Sequence, residues 1–365
     1  MAPRDYLRYI LPEALFGTER TKEILNVNPT VEHERQAVDH ILISVFNYNG
    51  STLEEQRFER AEDVFYCKDH GLISWINIDG IRKSDVEKIS GHFGIHPLLA
   101  EDILSCNQRP KMDDVEGVLY CLLNMLYFNA DESAVEQEQV SIILGPNFVI
   151  TFQEDPARDV FNPVRERLRI AGSKVRQRPA DYLCYSLIDL IVDNYFLVME
   201  RLGEKIEELE EEVVRNATPM SMARITRLRK ELIVLKRNIL PVRDLVAAII
   251  RSESPLLDER TEKYFKDVYD HIVQAADLSE NYRDVMTSMQ DLYINNVNLK
   301  MNEVMKVMAI VTCLMAPATV IGGIFGMNFE RIPLLHDKWG FFISVGLMLL
   351  IPLWMVRMFR KRGWF

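Results

Sequence analysis

Two long apolar runs near the C-terminus constrain the fold of this chain more than any other feature. Residues 307–325 and 339–356 contain no charged side chain. A helix needs about 20 apolar residues to cross the roughly 30 Å hydrocarbon layer of a bilayer. A buried helix of a soluble protein can also be this apolar, but two such runs joined by a short polar loop favour a pair of membrane spans.

The charges around the two runs predict how they are oriented. Lys306 precedes the first run, and Arg357, Arg360, Lys361 and Arg362 follow the second. Because lysine and arginine concentrate on the cytoplasmic side of membrane proteins, both termini are predicted to be cytoplasmic. The expected location is the inner or plasma membrane, as a multi-pass protein surrounded by lipid.

Composition argues against several classes of protein. The 54 acidic and 43 basic residues give a net charge of −11, so the chain is expected to repel nucleic acid. None of the five cysteines forms a CxxC pair, so they are predicted to be buried, reduced thiols rather than zinc ligands or disulfides. The sequence has no nucleophile–base motif, HExxH motif or phosphate-binding glycine loop, so no enzymatic activity is predicted.

The chain before the spans changes character near residue 176. Earlier residues form short apolar runs separated by polar turns, which is typical of a mixed α/β fold. The predicted strands are 40–48, 72–78, 118–128, 140–144 and 148–153, and the predicted helices are 83–93, 96–104 and 155–171. Later residues keep apolar side chains at helical spacing.

The predicted fold class is therefore an α/β N-terminal cytosolic domain followed by long helices and two C-terminal transmembrane helices. In order, we expect an α/β domain over 1–175, an antiparallel helical hairpin over 176–256, a long helix over 257–326 with its membrane part at about 306–326, a loop over 327–338, a second span over 339–357 and a basic tail over 358–365. The hairpin should set its acidic stretch EKIEELEEEVV beside its basic stretch RITRLRKELIVLKRN.

A polar stripe runs along the long helix into the first span. Its members recur at three- and four-residue spacing, which places them on one helical face. They are Asp291, Asn295, Asn298, Asn302, Met305, Met308, Thr312, Ala316, Thr319 and Gly323. Small residues in a membrane helix also favour close helix–helix packing, and this alternative stays open. The asparagines outside the membrane favour a pore lining, which would need several copies of the chain around an axis.

The end of the first span carries the tripeptide Gly326-Met327-Asn328, within IFGMNFE, with one further span and a basic tail after it. This arrangement, together with the segments GIHPLLAEDIL, NQRPK, FNPVRERLR and NEVMKVMAIV, resembles the CorA magnesium/cobalt transporter family. The resemblance implies a funnel-shaped homopentamer that conducts hydrated Mg²⁺, with Co²⁺ and Ni²⁺ as further candidates. It also implies that Gly326, Met327 and Asn328 form the selectivity filter and that Met305 and Met308 form a hydrophobic constriction.

The same resemblance implies feedback by cytosolic Mg²⁺, with no organic cofactor. Asp102 and Asp267 match acidic residues that bind the ion between neighbouring subunits, and Glu101 and Asp189 match a second set. The loop departs from the family pattern, because Leu334 stands where many relatives carry a glutamate. This departure weakens the acidic mouth that attracts cations.

Two other functions remain open from the sequence. The first keeps the architecture but transports Zn²⁺, as in a related bacterial branch. The second is a membrane-anchored sensor whose helix bundle does not conduct. A sensor should tolerate a bulky residue in the stripe, whereas a pore should not.

Overall fold

The computed structural model describes residues 41–69, 71–106, 108–329, 332–334 and 337–364. Predictions that fall on residues 1–40, including the first residue of the predicted strand 40–48, lie outside this range. The chain divides into two compact units, Met1–Gln290 and Asp291–Phe365, called here the first unit and the second unit.

The described residues of the first unit contain one seven-stranded sheet. Its strands are β1 Leu42–Tyr48, β2 Leu53–Phe58, β3 Ile73–Asp79, β4 Lys111–Val115, β5 Val118–Asn129, β6 Ala134–Leu144 and β7 Phe148–Gln153. Their order across the sheet is β2-β1-β3-β7-β6-β5-β4. Only the β3–β7 pair is parallel, with Ser74 opposite Phe148, and every other neighbouring pair is antiparallel.

The central strands were predicted because both of their faces are buried. Every residue of β7 and nearly every residue of β1 and β3 is buried, so these strands read as apolar runs. The edge strands β2 (LEEQRF) and β4 (KMDDV) were not predicted, because at least half of their side chains are charged and neither strand is buried. β2 is largely exposed, and β4 is largely half-buried. Hydrophobic periodicity gives no signal in such strands.

Two short helices follow β3. Helix α1, Lys83–Phe93, has the predicted bounds, and it ends where Gly94 adopts φ 77° and donates its N–H to the Ser90 carbonyl oxygen. Helix α2, Pro97–Leu104, begins with a proline, and the His96 ring accepts the Leu98 N–H. Proline at the first helical turn and glycine after the last are common helix boundaries.

The single helix predicted over 155–171 is wrong. A 3₁₀ turn at Pro156–Arg158 is followed by α3, Asn162–Arg169, and by a short α4, Lys174–Gln177. The interruption lies at Asp159, whose carboxylate accepts the Phe161 N–H at 2.8 Å. Such a local side-chain bond offers the backbone an alternative to the helix.

Three long helices complete the fold of the first unit, and the last of them continues into the second unit. Helix α5 spans Ala180–Asn216, α6 spans Pro219–Arg251 and α7 spans Glu259–Phe325. A reciprocal capping box between Thr218 and Ser221 starts α6. The predicted contact between the acidic and basic stretches is confirmed by the ion pair of Glu212 with Arg224.

Helix α5 packs against the sheet through a buried polar contact. Tyr195 donates its hydroxyl to the Asn124 carbonyl oxygen at 2.6 Å, and the Asn124 amide donates to Asn238 of α6 at 2.8 Å. By length and composition α5, α7 and α8 (Gly340–Lys361) could each cross a membrane. However, the apolar window of α5 is 67% buried, against 6% in α7 and in α8. The chain itself therefore buries α5, which is a core helix of the first unit.

The prediction for the cysteines is partly wrong. All five are free, and Cys67, Cys121 and Cys184 are buried as expected, but Cys106 is half-buried and Cys313 is exposed. Cys313 lies on an exposed part of the apolar surface of α7.

Candidate functional site

The structure leaves the whole polar stripe of α7 exposed. This holds for Asp291, Asn295, Asn298, Asn302, Met305, Met308, Thr312, Ala316, Thr319 and Gly323. Exposure alone does not single the stripe out, because neighbours such as Leu299 and Val304 are also exposed. The position of the covered face is more informative.

The covered face of α7 lies opposite the stripe. Ile310 is buried, and Leu314, Pro317 and Ile321 are half-buried at helical spacing. A side chain added at Gly322 would lie 3.9 Å from the Met348 methyl of α8. Within the second unit, α7 thus packs on α8 and turns the stripe away from it, as a pore lining requires.

Both threonines of the stripe bond to their own helix. The Thr312 hydroxyl donates to the Met308 carbonyl oxygen at 2.9 Å, and that of Thr319 donates to the Met315 carbonyl oxygen at 3.0 Å. Each hydroxyl oxygen keeps lone pairs that can accept a hydrogen bond. The stripe can therefore present acceptors to a hydrated cation.

The tripeptide at the end of α7 is held by a close backbone turn. Gly326 donates its N–H to the Gly322 carbonyl oxygen at 3.0 Å, and a Cβ at Gly326 would lie 3.2 Å from that oxygen. Met327 and Asn328 follow and are exposed. The chain thus presents a backbone and an amide side chain at the end of the stripe.

The loop reaches α8 through a second close contact. Leu334 has φ 70°, a conformation that is rare for a branched side chain. A Cβ at Gly340 would lie 2.0 Å from the Leu334 carbonyl oxygen. Only glycine fits at Gly340 in this arrangement.

The basic residues that flank the spans lie on the surface. Lys306 is half-buried, whereas Arg357, Arg360, Lys361 and Arg362 are exposed. Exposed cationic side chains at helix ends suit contact with anionic lipid or solvent.

Asp102, the first predicted regulatory residue, already has a cationic partner. The Lys111 ammonium nitrogen lies 2.6 Å from Asp102 Oδ2 and 3.2 Å from Asp113 Oδ2. Burial opposes the charged form of Lys111, but hydrogen bonds to both carboxylates outweigh it and raise its pKa. Glu101 and Asp267 are exposed. Within the described chain, no group of three metal-ligand side chains includes Asp102, Glu101 or Asp267.

Asp189 does belong to such a group, with Asp193 of α5 and His271 of α7. One ligand atom from each lies within 4.8 Å of the others. Burial, and then the negative charge of Asp193, raise the pKa of Asp189, which also accepts the Tyr185 hydroxyl at 3.2 Å. His271 Nδ1 is buried and, among the described residues, has no hydrogen-bond partner.

The donor set of this group fits a divalent cation. Carboxylate oxygens suit Mg²⁺, and an imidazole nitrogen adds affinity for first-row transition metals. Asp193 and His271 were not predicted as site residues. The four-residue spacing of the two aspartates on α5 was the available signal for Asp193, whereas no sequence pattern pointed to His271.

Comparisons with known proteins agree on one family. A family model described as "CorA-like Mg2+ transporter protein" matches residues 71–361. The cobalt/magnesium transport protein CorA of Thermotoga maritima is 41% identical over 88% of this chain and 92% of its own length. Its counterpart in Methanocaldococcus jannaschii is 28% identical over 83% of this chain and 94% of its own length.

The fold agrees as well. The complete structure of the CorA magnesium transporter from Methanocaldococcus jannaschii aligns with a TM-score of 0.73 at 25% identity. The alignment covers 88% of this chain and 98% of that one.

Proposed function

Because this chain belongs to the CorA-like Mg²⁺ transporter family, we propose that it is one subunit of a homopentameric Mg²⁺ channel that also admits Co²⁺ and Ni²⁺. The family consists of transporters rather than enzymes. The observation that carries the proposal is the stripe, which is exposed on the face of α7 opposite the one packed on α8. Five copies would bring these faces together around an axis.

The stripe suits a hydrated ion rather than a bare one. Mg²⁺ dehydrates reluctantly, so neutral amide and hydroxyl oxygens can hydrogen-bond its water shell without holding it too tightly. Asn302, Thr312 and Thr319 would supply such oxygens along the path. Met305 and Met308 would narrow the path by an apolar ring that closes through dewetting.

The selectivity filter would be formed by Gly326, Met327 and Asn328. The close turn at Gly326 exposes the backbone that follows it. In a pentamer its carbonyls would lie near the axis, and the exposed Asn328 amide would add a side-chain oxygen from each copy. Leu334 in the following loop adds no charge, so capture of cations at the mouth would depend on the remaining acidic side chains. The membrane potential would drive influx with about 4.6 kcal/mol per Mg²⁺ at 100 mV.

The membrane arrangement follows from charge. The basic residues Lys306, Arg357, Arg360, Lys361 and Arg362 would lie on the cytoplasmic side, with both termini there and loop 327–338 outside. The chain would then reside in the inner or plasma membrane, with lipid around α8.

Regulation would come from Mg²⁺ bound by the first unit. Asp102 and Asp267 would share an ion across subunits, because carboxylate oxygens are the ligands that Mg²⁺ prefers. Asp189 would bind a second ion, and its neighbours Asp193 and His271 support this role. Bound ions would neutralise facing carboxylates and hold the closed ring, whereas their loss would let like charges separate the subunits.

The proposal is tested by Mg²⁺ influx into liposomes that contain the purified protein, with the interior held negative. Asn328→Leu should abolish influx, whereas Phe329→Leu, a matched change at the next exposed position, should not. Raising Mg²⁺ on the cytosolic side should close the wild-type channel. Zn²⁺ flux under a proton gradient without Mg²⁺ flux would indicate the zinc transporter instead, and no flux of any metal would leave the sensor.

A further inference from the structure

The regulatory carboxylate Asp102 is occupied by a cation of its own chain. Lys111 Nζ lies 2.6 Å from Asp102 Oδ2, and the two side chains are 38% and 18% exposed. Lys111 is the first residue of the edge strand β4, and Asp102 lies in α2. An ammonium at this distance occupies an acceptor site on Asp102 Oδ2 and repels a cation that approaches the same oxygen.

We propose that Lys111 is a built-in competitor of the divalent ion at Asp102, which sets how much cytosolic Mg²⁺ is needed to close the channel. This inference rests on the regulatory role proposed for Asp102. Binding of Mg²⁺ to Asp102 Oδ2 requires the ammonium to withdraw, since two cations repel at such a short distance. When the ion leaves, the ammonium returns and pairs the carboxylate again.

Asp113 gives the displaced ammonium a second partner. Its Oδ2 lies 3.2 Å from Lys111 Nζ, so Lys111 can move fully to Asp113 while the ion binds Asp102. The exchange therefore leaves no unpaired positive charge beside the metal site. It needs a rotation of the lysine side chain and no movement of the backbone.

The backbone at Asp102 is held independently of the lysine. Gln139 of β6 donates its amide to the Asp102 carbonyl oxygen at 3.1 Å. Removing the Lys111 charge should therefore leave the carboxylate in place and raise its affinity for Mg²⁺. A purely structural role for the Lys111–Asp102 pair would have the opposite effect, because losing it would loosen the site.

The test compares Lys111→Met with Lys111→Arg in liposomes. The measured quantity is the cytosolic-side MgCl₂ concentration that halves influx. Lys111→Met should lower it by roughly two- to fivefold, as expected for loss of one competing ion pair. Lys111→Arg keeps the charge and should stay near wild type. Lys83→Met removes the same charge from an exposed position on α1 and controls for the change in net charge.

Two further variants make each outcome decisive. If Lys111→Met does not fold, Lys111→Gln removes the charge with a polar side chain and should give the same downward shift. An unchanged or raised half-closing concentration in the neutral variants overturns the inference. If Asp102→Asn shifts Mg²⁺ closure and the Lys111 variants do not, only this inference fails. If Asp102→Asn has no effect, the regulatory role of Asp102 fails with it.

Discussion

The two units differ in how much of their apolar surface the chain itself buries. In the first unit, Trp75, Phe152 and Tyr195 are fully buried by the chain itself. In the second unit, Met308, Leu350 and Trp354 are each about two-thirds exposed (64%, 64% and 66%). The first unit therefore buries its large apolar side chains within the chain itself, whereas the second unit leaves them exposed. The same amino-acid types are thus buried in one unit and exposed in the other.

Truncation of a leucine side chain should give the largest difference in stability between the two units. Leu202 of α5 is fully buried, whereas Leu349 of α8 is 63% exposed. Leu202→Ala should lower the free energy of unfolding by about 2–5 kcal/mol, through lost burial and a residual cavity. Leu349→Ala should cost less than about 1 kcal/mol, because it leaves no cavity within the chain. Thermal unfolding in detergent, followed by circular dichroism, measures both. Equal losses would mean that the second unit has a closed core after all.

The junction of the loop with α8 should be more sensitive to substitution than the exposed positions of the second unit. In Gly340→Ala, the new methyl would meet the Leu334 carbonyl oxygen at 2.0 Å, so the loop must shift at a cost of about 1–3 kcal/mol. Gly346→Ala is the matched control, since nothing lies within 4 Å of its Cβ position. The readouts are the midpoint of thermal unfolding in detergent and the rate of proteolysis in the loop. Equal behaviour of the two variants would show that the close contact does not matter.

Substitutions in the stripe should show whether the second unit lines a pore or forms a non-conducting helix bundle. Gly323 and Gly346 both have open space around their Cβ positions. Gly323→Leu should reduce Mg²⁺ influx at least about tenfold, or 1.4 kcal/mol in barrier height, because five bulky side chains would meet on the axis. Gly346→Leu on α8 should change influx less than about twofold, which is under 0.5 kcal/mol. Full influx through Gly323→Leu would favour the view that the stripe is not a pore lining.

The smallest expected difference between the two units is in how the stability of the protein depends on pH. Burial raises the pKa of Glu138 in the first unit, although backbone N–H groups of Asp155 and Glu154 oppose this. A raised pKa disfavours the charged form in the folded state, so the folded protein binds the proton first and gains stability as pH falls through that pKa towards 4.5. As the pH falls from 7 to 5, the stability of the wild type should therefore rise relative to that of the Glu138→Gln variant.

The control for this effect lies in the second unit. Asp291, Glu303 and Asp337, the described carboxylates there, are all exposed. The free energy of unfolding of wild type and of each variant is measured by chemical unfolding over this pH range. The difference between wild type and Glu303→Gln should change with pH much less than that between wild type and Glu138→Gln. A larger shift at Glu303 would indicate that assembly buries this exposed residue.

The sequence predicted the parts of the fold in which burial leaves a pattern. The central strands, α1 and the three long helices were predicted to within a few residues, except that the pattern of β6 showed only its C-terminal half. The edge strands were missed because exposed charged residues such as Glu54, Glu55 and Asp114 carry no such pattern. The helix predicted over 155–171 failed because a single side-chain bond at Asp159 decides the local backbone.

The candidate site divides in the same way. The spacing of the stripe was readable because it lies on one helix, although its role as a pore lining stays a prediction. The pairing of Asp102 with Lys111 and the meeting of Asp189 with His271 depend on tertiary structure. Residues on different elements come together only once the fold is known, and no periodicity encodes that.

The charged edge strands restrict how copies of this chain can join. β2 and β4 end the sheet on its two sides, and their exposed glutamates and aspartates discourage pairing with a further strand. Sheet-to-sheet growth between subunits is therefore disfavoured in both directions. Any association of copies is therefore expected to use helices and loops rather than strand pairing, which lowers the risk of growth into fibres.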